Sequence, residues 1–311
     1  MVKSRPRIKN DPRLSSTSLP HMFRLLLRFL LTALCAVFLL FPLQVCAAEN
    51  SFIDEIQQRG FLKVGLPPYN TPPAYYLDPG SDDLLGYDVD LATRLAEKLG
   101  VDVQFDRSST SFNELVQRVG ADDFDIAIGK LGLTYKRLFD AFPIQYLSFR
   151  HALLADRSFI SSLGTDPDDP TFGDVLRNAK MRIGSIENST WETESRANFP
   201  NAEFIGFKNW SAAKKALTND DAKSDGPKID AIYRDATEIK PIVYEKPVLS
   251  LKFVPILFDD IIDRKSIYLS EKGKVGFSDF LDNYLKREWG GIKSDKNILD
   301  DFQSFYLPSD S

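Results

Sequence analysis

The strongest constraint on the fold is a pair of apolar segments that each run directly into a charged residue. The first, residues 124–129, continues through the glycine of a turn at Gly132 and delivers Arg137 onto a predicted helix. The second, residues 229–233, ends two residues before Asp235. A guanidinium grips a carboxylate through paired hydrogen bonds, and an aspartate facing it can hold an ammonium. Across one cleft, Arg137 and Asp235 would therefore bind a zwitterion such as a free amino acid.

Strand and helix patterns alternate along the chain after residue 50, which indicates an α/β fold. Apolar residues repeat at helical spacing over residues 87–99, with Asp88 as a plausible N-cap and Gly100 as the end. Residues 277–289 predict another amphipathic helix, and the polar residues 219–228 predict an exposed loop. The predicted strands are residues 61–66, 101–105, 124–129, 181–186, 204–207, 229–233, 253–258 and 266–269.

Residues 1–47 have the pattern of a cleaved signal peptide. Basic residues precede an apolar run over residues 29–43, which is shorter than a membrane span of roughly 20 residues, and small residues follow at Ala47 and Ala48. The alternatives are an uncleaved anchor and a lipoprotein attached at Cys46, although Val45 is bulky where a small residue is preferred. The sequence thus predicts a periplasmic or extracellular protein.

Charge and composition exclude several function classes. Residues 1–47 contain seven of the 39 basic residues and one of the 44 acidic residues, so the chain without them has a net charge of −11. Such an acidic chain is a poor candidate for binding nucleic acid. Cleavage also removes both cysteines, Cys35 and Cys46, and leaves His151 as the one histidine. We therefore expect no disulfide, no metal site, no catalytic triad and no cofactor.

Three motifs resemble those of amino-acid-type (family 3) solute-binding proteins of bacterial ABC importers, which are related to ionotropic glutamate receptor ligand-binding domains. They are Thr-x-x-Arg at residues 134–137, the aromatic segment 142–146, and Asp-Ala-x-x-x-Asp at residues 230–235. The resemblance implies a two-lobed, periplasmic-binding-protein-like (type II) α/β fold. Each lobe is a mixed sheet flanked by helices, and the ligand lies in the cleft between lobes. It places lobe I at residues 48–149 and 259–311, and lobe II at residues 150–258.

The resemblance also implies roles for four residues. Arg137 would bind the ligand α-carboxylate and Asp235 its α-amino group, although an arginine can form a surface ion pair and an aspartate can cap a helix. Ser189 and Thr190 begin a helix whose N–H groups and dipole suit an anion. The family has Gly-Thr-Thr or Gly-Ser-Thr here, whereas this chain has Asn188 in place of the glycine, and capping alone would also explain the hydroxyls.

Aromatic side chains wall the ligand cleft in this family. Phe112 lies where a ring often stacks on the ligand, but its spacing equally fits the core of its own helix. Tyr69 and Tyr75 lie near the other wall. There the family often has a phenylalanine after two prolines, and this chain has Ala74.

Two further positions depart from the family pattern. The family usually has a small residue where Lys130 stands and Ser or Thr where Gly132 stands. Gly132 removes a hydroxyl that would help Arg137 hold a carboxylate. A Lys130 side chain pointing inward would favour an acidic amino acid or a dicarboxylate. One pointing outward would reach solvent and leave specificity to the aromatic wall.

These features predict a monomeric, non-enzymatic solute-binding protein that delivers a small amino acid or related carboxylate to a membrane ABC permease. One alternative is a ligand-sensing subunit for a membrane receptor, because a fold does not fix a function. Another is an enzyme that resembles cyclohexadienyl dehydratase, which needs a general acid in the cleft. Glu187 and Glu192 are the acidic residues beside the Ser189–Thr190 turn.

Overall fold

The fold is described by a computed structural model for residues 51–218 and 227–302. The predicted signal peptide and Cys46 lie outside these residues. Asn50–Ser311 is one compact unit. Its helices are α1 (Phe52–Arg59), α2 (Tyr87–Leu99), α3 (Phe112–Gly120), α4 (Tyr135–Asp140), α5 (Arg157–Ser162), α6 (Phe172–Arg177), α7 (Thr190–Asn198), α8 (Trp210–Thr218), α9 (Ala236–Glu245), α10 (Phe277–Tyr284) and α11 (Asp295–Asp301). Short 3₁₀ helices span Pro247–Leu251 and Lys272–Lys274, and a π-helical turn, Leu285–Trp289, extends α10.

The strands alternate with these helices. They are β1 (Phe61–Gly65), β2 (Tyr76–Leu77), β3 (Leu84–Leu85), β4 (Asp102–Asp106), β5 (Ile126–Gly132), β6 (Phe142–Asp156), β7 (Arg182–Ile186), β8 (Glu203–Phe207), β9 (Ala231–Asp235), β10 (Phe253–Leu269) and β11 (Lys293–Ser294). Within the described residues, all of them except the β2–β3 hairpin form one mixed sheet in the order β4-β1-β5-β10-β6-β9-β7-β8, with β11 beside β6. We call α1–α4 with β1–β5 the first lobe, and α5–α9 with β7–β9 the second lobe.

The two long strands β6 and β10 join the lobes. They pair antiparallel from Phe253 opposite Asp156 to Leu269 opposite Phe142, and the register shifts between Phe258 and Ile262. One end of β10 pairs with β5 of the first lobe, whereas the far end of β6 pairs with β9 of the second. The segments in which the chain is predicted to pass from one lobe to the other, near residues 149–152 and 258–260, lie in this strand pair. The lobe boundaries at 149/150 and 258/259 stay a prediction.

Each lobe buries apolar side chains on both faces of its part of the sheet. Alternate residues of β5 enter different clusters, since Ile126 and Ile128 pack with α2 while Ala127 packs with α3. The same alternation places Leu153 and Leu154 of β6 in two different apolar clusters, which also contain residues of the second lobe. Successive strand residues face opposite sides of a sheet, so strands covered by helices on both faces are apolar throughout. Among the described helices, none has the length and apolar character needed to cross a bilayer.

Candidate functional site

Lys130 reaches from the first lobe into the second. It lies on β5, it is 8% exposed, and its backbone has φ +53°. Its ammonium lies 3.2 Å from the Asp235 carboxylate, 3.0 Å from the Thr237 hydroxyl and 2.8 Å from Glu238 Oε1. The side chain therefore points inward, which is one of the two orientations that the sequence left open. Glu238, which the sequence did not single out, supplies a second carboxylate to Lys130.

The backbone of Lys130 is held from the other side. Its N–H donates to the Tyr146 hydroxyl at 3.0 Å, and that hydroxyl donates to Asp88 Oδ1 at 2.9 Å. Gly86, not Asp88, is the N-cap of α2, so the predicted cap was wrong. Burial raises the pKa of Asp88 to about 8, against the lowering effects of Tyr146 and Lys130. The left-handed φ of a non-glycine residue costs about 1–3 kcal/mol, and these contacts on both sides hold it in place.

Asp235 ends β9 and is the N-cap of α9. Its Oδ1 accepts the N–H of Thr237 at 3.1 Å, so the side chain has the capping role that the sequence offered beside ligand binding. It is fully buried. Burial by itself would raise its pKa, but the nearby cations Lys130, Lys265 and Arg234 hold the pKa of Asp235 below its ordinary value. The carboxylate is therefore ionised, and its counter-charge comes from the protein.

Arg137 lies on α4, whose N-cap Thr134 accepts the Arg137 N–H at 3.3 Å. The guanidinium is 2% exposed. Its Nη1 donates to the Gly132 carbonyl at 2.8 Å and its Nε donates to Asn113 Oδ1 at 3.0 Å. Within residues 51–218 and 227–302, no carboxylate forms an ion pair with it. Burial lowers the pKa of Arg137, and Tyr268 and Asp263 partly oppose this effect.

The turn after β7 brings the second lobe against Gly132. A Cβ on Gly132 would lie 3.0 Å from both Cγ2 and Oγ1 of Thr190, so the missing side chain lets the lobes approach. Ser189 is the N-cap of α7 but makes no side-chain capping bond, because its hydroxyl donates to the Ile186 carbonyl at 2.6 Å. Thr190 and Gly132 are thus brought together, within reach of Arg137.

A cavity of about 350 Å³ lies beside this group of residues and is lined from both lobes. Tyr69 and Phe112 contribute from the first lobe, with ring centroids 5.7 Å apart. Trp210, Arg234 and Glu238 contribute from the second. Arg137, Asp235, Ser189 and Thr190 do not line it. Tyr75 does not line it either, because its ring is 1% exposed in the first-lobe core beside Gly129.

Sequence reasoning missed the charged residues of this cavity. Arg234 is 4% exposed, stacks over the Trp210 ring with 5.0 Å between its guanidinium carbon and the centroid, and lies 3.6 Å from Glu238. Its buried Nε has no hydrogen-bond partner among the residues that the structure describes. The signal was present: Arg234 precedes Asp235 in an apolar strand, and Glu238 follows Arg234 at the i,i+4 spacing of a helix pair.

A second buried ionic cluster lies behind Asp235. Lys265 pairs with Asp263 and stands 4.1 Å from the centroid of the Trp191 ring, and His151 is bonded to the Tyr233 hydroxyl. Burial lowers the pKa of His151 to about 4, which Asp263 opposes from 3.9 Å away. These side chains have partners inside the protein.

The two glutamates considered as general acids lie outside the cavity lining. Glu192 accepts the Asn188 N–H at 3.0 Å and pairs with Arg196, and neither Glu187 nor Glu192 lines the cavity. Within the described residues, no group of three or more His, Cys, Asp or Glu side chains is arranged to hold a metal ion.

Comparison with known proteins agrees with the motifs of β5 and α4. The family described as bacterial extracellular solute-binding proteins, family 3, matches residues 62–158. The match covers about a third of the chain. Members of this family are extracellular or periplasmic, and the resemblance inferred from the Thr-x-x-Arg motif is confirmed.

Solved structures show the same fold over most of the chain. A binding component of an ABC transporter from Wolinella succinogenes, complexed with lysine, is 18% identical, with a TM-score of 0.63 over 81% of this chain and 97% of the other. An amino acid ABC transporter substrate-binding protein from Streptococcus pneumoniae, bound to L-arginine, is 19% identical, with a TM-score of 0.61 over 82% and 100%. The predicted two-lobed type II fold is confirmed.

One curated relative has a different activity. Cyclohexadienyl dehydratase from Pseudomonas aeruginosa is 35% identical over 101 residues, which is 32% of this chain and 36% of the relative. The chain thus matches about a third of that protein's length.

Proposed function

We propose that this family 3 protein captures a small amino acid or a related carboxylate outside the cytoplasm and delivers it to a membrane ABC permease. The observation that carries the proposal is the cavity of about 350 Å³ lined by Tyr69 and Phe112 from one lobe and by Arg234 and Glu238 from the other. A volume of this size suits a small molecule. A ligand that touches both lobes stabilises their closed arrangement, because only that arrangement offers both sets of contacts.

In this proposal Arg137 holds the ligand carboxylate. It is buried beside Gly132 and is not itself among the residues that line the cavity, and within the described residues its hydrogen bonds go to neutral groups. The free N–H groups at the start of α7, after Ser189, add positive potential on the opposite side. Tyr69 and Phe112 form the aromatic wall, as the sequence suggested, and Arg234 joins the site as a cation that the sequence did not single out.

The test is calorimetry on the protein after unfolding and refolding to remove any bound ligand. It is titrated with the twenty amino acids and a set of short carboxylates and dicarboxylates. We expect one saturable ligand class that also raises the thermal midpoint, since a ligand that binds only the native state stabilises it. Phe112→Ala should weaken that binding. If none of these compounds binds, the proposal is rejected. Measuring uptake of the ligand by cells with and without the protein distinguishes import from sensing.

A dehydratase activity is the second candidate, and the match to cyclohexadienyl dehydratase supports it. It requires a group at the cavity that can transfer a proton, and Glu238 is the buried Asp or Glu side chain that lines it. Incubation with a cyclohexadienyl acid and detection of the aromatic product test this candidate directly. Product formation that Glu238→Gln abolishes would favour the enzyme over the carrier.

A further inference from the structure

We infer that the ligand of this protein is a carboxylate without an α-ammonium group, because Lys130 supplies that ammonium from within the chain. The inference rests on the proposed function, and it narrows the ligand class. It also replaces the role expected for Asp235, which was to bind the amino group of an amino acid.

The first step concerns the donors of Lys130. An ammonium carries three N–H donors and no acceptor. Three acceptors surround Lys130 Nζ: Asp235 at 3.2 Å, Thr237 at 3.0 Å and Glu238 at 2.8 Å. This is the complete set of contacts that a bound amino group would need, and it is already made. Asp235 Oδ2 has no hydrogen bond of its own, but it lies 3.2 Å from the same ammonium.

The second step concerns access. Asp235 is fully buried and does not line the cavity. A ligand ammonium could reach it only by displacing Lys130. The displaced lysine would then lose its charge partners in a site that is 8% exposed, and removing one partner of a buried pair is strongly unfavourable. An amino group on the ligand is therefore penalised here.

The third step concerns the arginines. Unlike the Lys130 ammonium, their guanidinium groups are not fully satisfied by carboxylates of the described residues. Arg137 does not line the cavity, but within the described residues its guanidinium is bonded to neutral groups, namely the Gly132 carbonyl, Asn113 and the Tyr268 hydroxyl. Arg234 lines the cavity and has a buried Nε without a partner. A guanidinium prefers a carboxylate to a neutral acceptor. Arg234 thus offers the cavity a donor for an anion, whereas both oxygens of Asp235 already face the Lys130 ammonium.

Matched ligand pairs test the inference. Each pair is an L-amino acid and the 2-oxo acid with the same side chain, for example glutamate with 2-oxoglutarate and phenylalanine with phenylpyruvate. Calorimetry on the refolded full chain should show at least tenfold tighter binding of the 2-oxo acid in the pair that binds best. Lys130→Ser frees Asp235 and Glu238 and should reverse that order. The control Lys286→Ser removes an exposed lysine that pairs with Asp282 and lies outside the cavity lining, and it should keep the wild-type order.

The outcomes separate the two proposals. Wild-type protein that binds the amino acid as tightly as its 2-oxo partner, or tighter, overturns this inference and leaves the carrier function standing. Absence of binding by both members of every pair overturns the carrier function as well. If Lys130→Ser does not fold, the wild-type ranking still decides, and Lys130→Arg, which keeps the positive charge, should preserve it.

Discussion

Lys130 and Arg137 are two buried cations seven positions apart on the same strand–turn–helix segment, and their environments differ sharply. Lys130 crosses to the second lobe and meets two carboxylates and a hydroxyl. Arg137 stays in its own lobe and meets a carbonyl and an amide oxygen. Both lie at the cleft, so burial alone does not distinguish them. The difference is in the partners that the fold supplies.

This comparison distinguishes a buried charge that is compensated within the protein from one whose compensation we expect a ligand to complete. A buried ion needs compensation by partners, and for Lys130 the protein itself provides it. For Arg137 the compensation is incomplete, which is the state expected of a group that completes its contacts with a ligand. Removing Lys130 should therefore affect stability, whereas removing Arg137 should affect binding.

The largest effect should come from Lys130→Met. It should lower the free energy of unfolding by about 3–5 kcal/mol, because it leaves Asp235 and Glu238 as buried charges without their counter-ion. Adding Glu238→Gln should recover part of that loss. The control is Lys286→Met, which removes a lysine from the exposed pair with Asp282 and should change stability by about 0.5 kcal/mol or less. Urea unfolding measures all three, and equal effects for both lysines would refute the structural role of Lys130.

Arg137→Ala should act on binding instead. We expect it to weaken the ligand by about 2–5 kcal/mol, the usual cost of losing one partner of a desolvated charge pair, while the thermal midpoint of the ligand-free protein changes little. Arg94→Ala, an exposed arginine of the first lobe, is the control and should leave the dissociation constant unchanged. A folded Arg137→Ala protein with wild-type affinity would remove Arg137 from the site.

Asp88, behind Lys130, and His151, in the ionic cluster behind Asp235, should give opposite pH dependence. The pKa of Asp88 is raised from 3.8 to about 8, so its stabilising contribution is complete below pH 3.8 and is lost as the pH rises towards 8. The pKa of His151 is lowered from 6.5 to about 4, so its contribution is complete above pH 6.5 and is lost as the pH falls towards 4. Between pH 6.5 and 8 only the Asp88 contribution changes.

Over that interval the free energy of unfolding should fall by up to about 1.4 kcal/mol per pH unit for this one proton. Asp88→Asn should remove the fall, because the amide stays neutral at every pH. Urea unfolding at pH 6.5, 7.2 and 8 compares the slopes of the two proteins. Parallel slopes would mean that Asp88 is already ionised at pH 6.5.

The sequence predicted local structure well where it depends on neighbouring residues. The apolar run of β5 and the strand–cap pair at Asp235 were both readable, because each uses residues only a few positions apart. The strand β10 was predicted as two strands, since Asp259 and Asp260 interrupt its apolar pattern. Pairing with β6 carries the strand through that interruption.

Long-range partners were the part that could not be predicted. Glu238 is 108 positions from Lys130, and Asp88 is 58 positions from Tyr146. No periodicity links such pairs. Asp88 has the sequence context of a helix cap, and only the fold shows that it is buried behind Lys130. The charge balance around Lys130 depends on these distant residues.

The smallest effect concerns the contact that brings the two lobes together beside Arg137. Gly132→Ala would place a methyl group 3.0 Å from Cγ2 and Oγ1 of Thr190, so the turn before α7 must give way slightly. We expect a loss of about 1 kcal/mol in the free energy of unfolding, the lower end of the cost of overpacking. Thr190→Ala removes both Cγ2 and Oγ1 and should relieve most of that cost in the double variant. A double-mutant cycle measured by urea unfolding isolates this coupling. Strictly additive effects would mean that Gly132 and Thr190 do not touch in solution, and that the lobes meet the cleft turn less closely than the Lys130 contacts require.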